Sequence, residues 1–170
     1  PNRATRIVGG QETEVNEYPW QVGLVSASGR VPFCGGSIIS DRHILTAAHC
    51  TAREEHLLHQ GLLGEHDTTD SVADIRTISG ITDHPSYNRG NKFAYDFSIL
   101  TLCSPITFSR TMAPVCLPAD VSSLYTGQLA TVTGWGTTSS GGSLSGKLLE
   151  VDVTVTSNAQ CNNAYGGIEE

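Results

Sequence analysis

The sequence predicts an all-β protein. Its 170 residues contain 18 glycines and 7 prolines, which leave no long run with apolar residues at the 3.6-residue period of a helix. Short apolar segments instead recur between turn-forming residues. One of them alternates strictly between apolar and polar residues, as a half-buried strand does. This arrangement is typical of a β-barrel or a β-sandwich.

The candidate strands are short segments bounded by Gly, Ser, Asp or Pro. In chain order they cover residues 20–25, 36–40, 43–46, 75–81, 97–102, 128–134 and 148–156. The last shows the alternation, with Leu149, Val151 and Val153 separated by polar residues, and predicts one buried and one wet face. Residues 120–127 and 137–146 are predicted to be surface loops. Three prolines between Cys103 and Pro118 predict a connection there rather than a central strand.

Charge and cysteine content limit the class of protein. With 10 basic and 17 acidic residues the net charge is −7, which argues against nucleic acid as a partner. No apolar run reaches the roughly 20 residues that cross a bilayer, so no membrane contact is expected. Five cysteines are unusual for a cytosolic chain and favour an extracellular, secreted protein. Residues 1–6 do not resemble a signal peptide, so secretion would require a leader removed upstream.

Two residues are candidates for catalytic chemistry. His49 follows two alanines and precedes Cys50, whose nearest partner in the chain is Cys34; a bridge between these cysteines would contribute about 3 kcal/mol. A lone histidine is more often structural than catalytic. Asp96 lies between Tyr95 and Phe97 before an apolar strand, where an unpaired carboxylate is costly. An imidazole that donates one N–H to the Asp96 carboxylate would keep its other nitrogen free to act as a general base. The alternative is that Asp96 only caps the end of a strand or lies in a turn.

Eight segments resemble the chymotrypsin/trypsin-like serine endopeptidases in order and spacing. They are RIVGG (6–10), YPWQV (18–22), FCGGSII (33–39), LTAAHC (45–50), HPSYN (84–88), YDFSIL (95–100), PVCLP (114–118) and TGWG (133–136). The resemblance implies two six-stranded antiparallel β-barrels with the active site between them. It also implies that His49 is the general base and then acid, and that Asp96 is its orienting carboxylate.

The same resemblance divides the chain. Residues 1–6 are expected to be a propeptide remnant and residues 7–170 the protease domain. The first barrel is expected at about 7–102, the linker at about 103–120 and part of the second barrel at about 121–170. Cleavage between Arg6 and Ile7 by an activating protease would free an α-amino group that this family buries beside a carboxylate. The chain as printed is therefore expected to be a zymogen-like form.

One departure from the family pattern bears on activity. The Gly-Asp-Ser-Gly-Gly motif that holds the nucleophilic serine is absent from the sequence, so this chain alone is expected to be inactive and the second barrel incomplete. The resemblance places the partner of Cys161 in a missing C-terminal segment, and that of Cys116 in a prodomain. Cys103 either pairs with Cys116 or remains free. The alternative function is a non-catalytic protease homologue that acts as a binding or regulatory module.

Other partners and cofactors are also expected. The resemblance implies protein or peptide substrates and protease inhibitors as partners, and no required cofactor. A zinc site, and with it a secreted metal-binding β-domain, would use the cluster of His49, Cys50, His56 and His59, but its spacing matches no common zinc motif. Structural Ca²⁺ is the other candidate, with Glu65 at the first ligand position of a loop about two residues shorter than the family pattern; the alternative is a plain acidic loop.

Two further residues are assigned structural roles. His84, in HPSYN, is predicted to be a hydrogen-bonded loop residue. Trp135, between two glycines, is predicted to pack at the base of the second barrel with its indole N–H bonded to a partner.

Overall fold

A computed structural model describes residues 7, 9–27, 29–52, 58–70, 74–87, 94–120, 122–138 and 142–165. Within these residues the chain forms nine β-strands and two short helices. In chain order the elements are β1 (Gln11–Glu12), β2 (Gln21–Ser26), β3 (Cys34–Ile38), β4 (His43–Thr46), α1 (Ala48–Thr51), β5 (Leu58–Leu63), β6 (Asp74–Asp83), β7 (Ser98–Leu102), β8 (Leu129–Gly134), β9 (Leu149–Thr154) and α2 (Asn158–Tyr165). No helix in the described part of the chain is long and apolar enough to span a membrane.

Six of the strands close into an antiparallel barrel in the order β2-β3-β4-β7-β6-β5. This confirms the expected all-β class and the first barrel. The interior is filled by apolar side chains from these strands, from α1 and from the segment that follows β7. They are Val22, Leu24, Ile38, Ile44, Cys50, Leu63, Leu100, Leu102 and Ile106. Closure leaves none of the six strands as a free edge, so the barrel is a rigid support for the residues at its rim.

The remaining strands form a second, three-stranded antiparallel sheet in the order β1-β9-β8. Gln11 and Glu12, which lie in the segment expected to form the first barrel (about 7–102), pair here with β9 of the second sheet. The first barrel strand begins at Gln21. The alternation in β9 predicted a buried apolar face, and this holds at Leu149 but weakens along the strand, since Val153 is 42% exposed.

Strand β2 is buried on both faces, and it joins the barrel to the second sheet. Val22 and Leu24 point into the barrel core. On the other face, the Gln21 carboxamide oxygen accepts a hydrogen bond of 2.6 Å from the Thr133 hydroxyl, and a Cβ on Gly23 would lie 3.4 Å from the Trp135 ring. The strand therefore has no wet side, in contrast to a half-buried strand.

Residues 103–120 connect the two β units without forming a strand, as the prolines predicted. The connection is tied to the barrel by backbone hydrogen bonds, including those from the Val115 amide to the Ile38 carbonyl and from the Ile106 amide to the Asp41 carbonyl. Cys103 and Cys116 are both exposed free thiols. Pairing between them, one of the two alternatives for Cys103, is therefore not present in this structure.

Candidate active site

His49 is held by a short helix and a disulfide at the rim of the barrel. It lies in α1, which follows β4 after Ala47. A disulfide joins Cys50, the next residue, to Cys34 at the start of β3, with 6.2 Å between the two Cα atoms. The predicted bridge is thus confirmed. Because Cys50 is also part of the barrel core, the backbone beside His49 is fixed on the interior side while the imidazole faces outward.

Asp96 approaches His49 from a tight turn before β7. The Phe97 amide donates a 2.8 Å hydrogen bond to the Tyr95 carbonyl, which closes a three-residue turn around Asp96. Tyr95 has a φ of +55°, in the left-handed region that non-glycine residues rarely occupy. The turn projects the Asp96 carboxylate toward the N-terminus of α1.

Both carboxylate oxygens of Asp96 bind His49. Oδ2 lies 2.7 Å from the imidazole Nδ1, and Oδ1 accepts a 2.7 Å hydrogen bond from the His49 backbone amide. The second bond has a clear cause: α1 begins after Ala47, which offers no side-chain cap, so its first amides need an outside acceptor. A carboxylate at this end also interacts favourably with the helix dipole.

This pairing sets the chemistry that the imidazole can perform. With Nδ1 donating its proton to the carboxylate, Nε2 carries the lone pair and can accept a proton. Nε2 lies 3.6 Å from the Cys50 sulfur, and the His49 side chain is 49% exposed, against 21% for Asp96. The arrangement is that of a general base held in one tautomer by a partly shielded acid.

The predicted activation segment lies against the second sheet. Arg6 is outside the described residues. Ile7 is 1% exposed, and its amide donates a 2.9 Å hydrogen bond to the Thr137 carbonyl. The two glycines that follow each have a structural reason: Gly9 has a φ of +78°, and a Cβ on Gly10 would lie 2.3 Å from the Ile7 Cγ2. Glycine is therefore favoured at Gly9 by its backbone conformation and at Gly10 by the close packing of Ile7.

Glu65, the calcium candidate, is a buried carboxylate at the end of β5. Its Oε1 accepts the amides of His66 and Asp67 at 2.9 and 3.0 Å, whereas Oε2 is buried and has no hydrogen-bond partner within the described residues. Burial raises the pKa of Glu65, with Asp70 adding to the effect. A buried oxygen without a donor fits a Ca²⁺ ligand in its chemistry.

Asp67, another carboxylate of that loop, is already engaged by protein donors. The Asp67 carboxylate accepts hydrogen bonds from the amide and hydroxyl of Thr69, at 3.0 and 2.5 Å, and lies 3.6 Å from the Lys147 ammonium. These protein donors would compete with a metal for the Asp67 oxygens. Calcium binding at Glu65 therefore stays a prediction that rests on one oxygen.

Of the predicted zinc cluster, the structure describes the side chains of His49 and Cys50. Cys34, His49 and Cys50 have ligand atoms within 4.8 Å of one another, but the two sulfurs form the disulfide and cannot act as thiolates. His56 lies outside the described residues, as does the side chain of His59. The disulfide with Cys34 makes Cys50 a structural residue.

His66 links the two β units, a role that no local pattern in the sequence indicates. Its carbonyl accepts the Trp135 indole N–H at 3.1 Å and the Leu148 amide at 2.9 Å. The imidazole Nε2 lies 3.1 Å from a Glu12 oxygen, and this contact, with Lys147, lowers the pKa of Glu12. The predicted partner for the Trp135 indole is thus a backbone carbonyl of the barrel rather than a group within the second sheet.

A closed antiparallel barrel, with a histidine and an aspartate paired at its rim, is the architecture expected of chymotrypsin-like hydrolases. Comparison with known sequences agrees, because the family model described as Trypsin matches residues 7–170. The chain belongs to the trypsin family of serine proteases.

Three relatives show the range of proteins that carry this domain. The chain is 37% identical to the venom serine protease of Polistes dominula, over 95% of the chain and 60% of the relative. It is 35% identical to the suppressor of tumorigenicity 14 protein homolog of Bos taurus, over 95% of the chain and 20% of the relative. It is 33% identical to the phenoloxidase-activating factor 3 of Holotrichia diomphalia, over 94% and 50%. The chain thus spans 60% or less of these curated relatives.

Proposed function

We propose that this chain supplies the base and the orienting acid of an extracellular serine-type endopeptidase that hydrolyses peptide bonds through an acyl-enzyme. The observation that carries the proposal is the double contact of Asp96 with His49, at 2.7 Å to the ring and 2.7 Å to the backbone amide. Family membership supports the reaction class, and the geometry of the pair is consistent with these two roles.

The reaction proceeds in two halves. His49 Nε2 takes the proton of a serine hydroxyl while the serine oxygen attacks the scissile carbonyl, and Asp96 stabilises the imidazolium that forms. His49 then gives this proton to the leaving amine as the C–N bond breaks, which leaves an acyl-enzyme. In the second half, water gives a proton to Nε2 and attacks the ester, and the serine regains the proton when the acid is released.

The nucleophile must come from a motif that the printed sequence lacks. Because no Gly-Asp-Ser-Gly-Gly occurs in it, we propose that these 170 residues do not turn over peptides by themselves. Loss of the nucleophile costs about six orders of magnitude in kcat in a comparable triad.

Zymogen activation and secretion are further parts of the proposal. The sequence RIVGG offers an arginine before Ile7 for an activating protease, and the glycines fit the close packing around Ile7. The Cys34–Cys50 disulfide is of the kind that persists outside the cytosol. A relative named as a venom protease is consistent with secretion. Protein substrates and protease inhibitors are the partners that this function implies.

The test uses the native protein and a fluorophosphonate probe that labels activated serines. Labelling is expected after cleavage between Arg6 and Ile7, and His49→Ala is expected to abolish it. His43→Ala is the matched control, since His43 lies on the same barrel and its imidazole bonds Ser40 instead. If the cleaved protein does not label, or if His49→Ala labels normally, the proposal is wrong. A glycine in place of the motif serine would favour the non-catalytic homologue.

A further inference from the structure

The segment that carries Asp96 is held in a conformation that it would not adopt by itself. Tyr95 has a φ of +55°, and a tyrosine in this region is strained. Such conformations persist only where the surrounding structure enforces them. Tyr95 is also 50% exposed, so burial of its ring in the core does not supply that enforcement.

One imidazole contacts both aromatic neighbours of Asp96. The His84 ring is stacked on the Tyr95 ring, with centroids 4.8 Å apart and planes 8° from parallel. The same imidazole lies 4.7 Å from the Phe97 ring, tilted by 55°. We call these three residues the His84 stack. Since its outer members flank Asp96 in the chain, the stack fixes the backbone on both sides of the carboxylate.

His84 is itself well fixed, as such a support must be. It directly follows β6, and its amide donates a 3.1 Å hydrogen bond to the Phe97 carbonyl. Its carbonyl accepts the Tyr87 amide at 2.8 Å, and its Nδ1 accepts the Ser86 amide at 3.1 Å. Because a backbone amide can only donate, the proton of the neutral ring lies on Nε2. The orientation of the His84 ring is therefore set by an in-plane hydrogen bond from Ser86 as well as by the two aromatic contacts.

We propose that His84 is a positioning residue for Asp96, and that it acts through the His84 stack. This inference rests on the proposed function, because Asp96 matters to catalysis only as the partner of His49. His84 touches no reacting atom. It holds the strained turn, and the turn places Oδ1 at the His49 amide and Oδ2 at the ring. The sequence predicts His84 only as a hydrogen-bonded loop residue, so this role adds to that assignment.

The test measures hydrogen exchange and the chemical shift of the His49 backbone amide by NMR, in this chain. That amide donates to Asp96 Oδ1, so its protection reports where the carboxylate is. Asp96→Ala defines the full loss of the bond. His84→Ala is expected to raise the His49 exchange rate by roughly tenfold or more, while the Leu100 amide in the barrel core keeps its rate.

Two variants separate positioning from general destabilisation. His84→Phe retains a ring that can stack, and it is expected to restore His49 protection to within about threefold of the parent. His43→Ala, the control, removes an imidazole from the same barrel and should leave the His49 amide unchanged. If His84→Ala does not fold, Tyr95→Leu removes the exposed outer ring instead and is expected to release the His49 amide in the same way.

An unchanged His49 amide in folded His84→Ala or Tyr95→Leu would overturn the proposal, and so would equal loss in His43→Ala. No turnover is needed, so this outcome is distinct from failure of the proposed function, which the serine probe reports. In the native enzyme, His84→Ala is expected to lower kcat by about tenfold with KM retained, because the stack acts on the base and not on substrate binding.

Discussion

Asp96 is expected to stabilise the folded chain mainly as the cap of α1, and only secondarily as the partner of the His49 ring. Removal of a side-chain acceptor from a helix N-terminus costs about 0.5–2 kcal/mol. The ring contact involves a half-exposed imidazole, and even fully charged pairs at such exposure contribute only about 0.2–1 kcal/mol. Asp96→Ala should therefore lower the free energy of unfolding by about 1–3 kcal/mol.

A double-mutant cycle with His49→Ala separates the two contacts. His49→Ala removes the imidazole but keeps the backbone amide, so Asp96→Ala should still cost about 0.5–2 kcal/mol in that background. Asp96→Asn, which keeps an oxygen for the amide, should cost less than Asp96→Ala. Urea unfolding measures the four proteins of the cycle and Asp96→Asn, and equal m-values would show that their free energies can be compared. If the cost of Asp96→Ala vanishes once the ring is absent, the capping explanation is refuted.

Three other variants test separate features of the structure. Replacing Cys34 and Cys50 together by alanine should lower the free energy of unfolding by about 3 kcal/mol, given their separation of 16 residues; urea unfolding that shows almost no loss would contradict this. Burial raises the pKa of Glu65 in the folded state above its usual value of 4.5. As the pH rises above 4.5, the parent must therefore lose a proton that its folded state binds more tightly than its unfolded state, and its stability falls. Glu65→Gln has no such proton, so it should gain stability relative to the parent over this pH range. Melting curves across that pH range measure this, and added Ca²⁺ should favour the parent alone if the calcium prediction is right. Gly10→Ala should cost about 1–3 kcal/mol in urea unfolding, since its Cβ would displace Ile7, and a fully stable variant would contradict the packing described for that segment.

Local patterns in the sequence predict much of the barrel. The strand at residues 43–46 matches β4 in both bounds, because a short apolar run there lies between a polar turn and alanines. Strand β5 was not predicted. Leu62 and Leu63 are adjacent and both buried, so the strand lacks the alternation that reveals a half-buried one. Strand β1 is two polar residues long, and only its pairing with β9 makes it a strand.

The candidate site shows a similar division. The bond between the His49 ring and Asp96 follows from the chemistry of a shielded carboxylate and from the family resemblance. The bond to the His49 amide does not, because it depends on an uncapped helix that meets a turn 47 residues later in the chain. The stacking of His84 on Tyr95 also needs the fold, since neither residue differs locally from an ordinary loop residue.

The burial of β2 on both faces has a consequence for how the chain tolerates change. In a strand with one wet side, every second position accepts polar or bulky substitutions. In β2, five consecutive residues from Gln21 are buried: Val22 and Leu24 face the barrel interior, whereas Gln21 and Gly23 lie against the second β unit. A substitution at any of them disturbs one unit or the other, so a mutational scan should find a continuous intolerant block there. The same arrangement couples the two β units, because the barrel cannot lose β2 without exposing the sheet that packs on it.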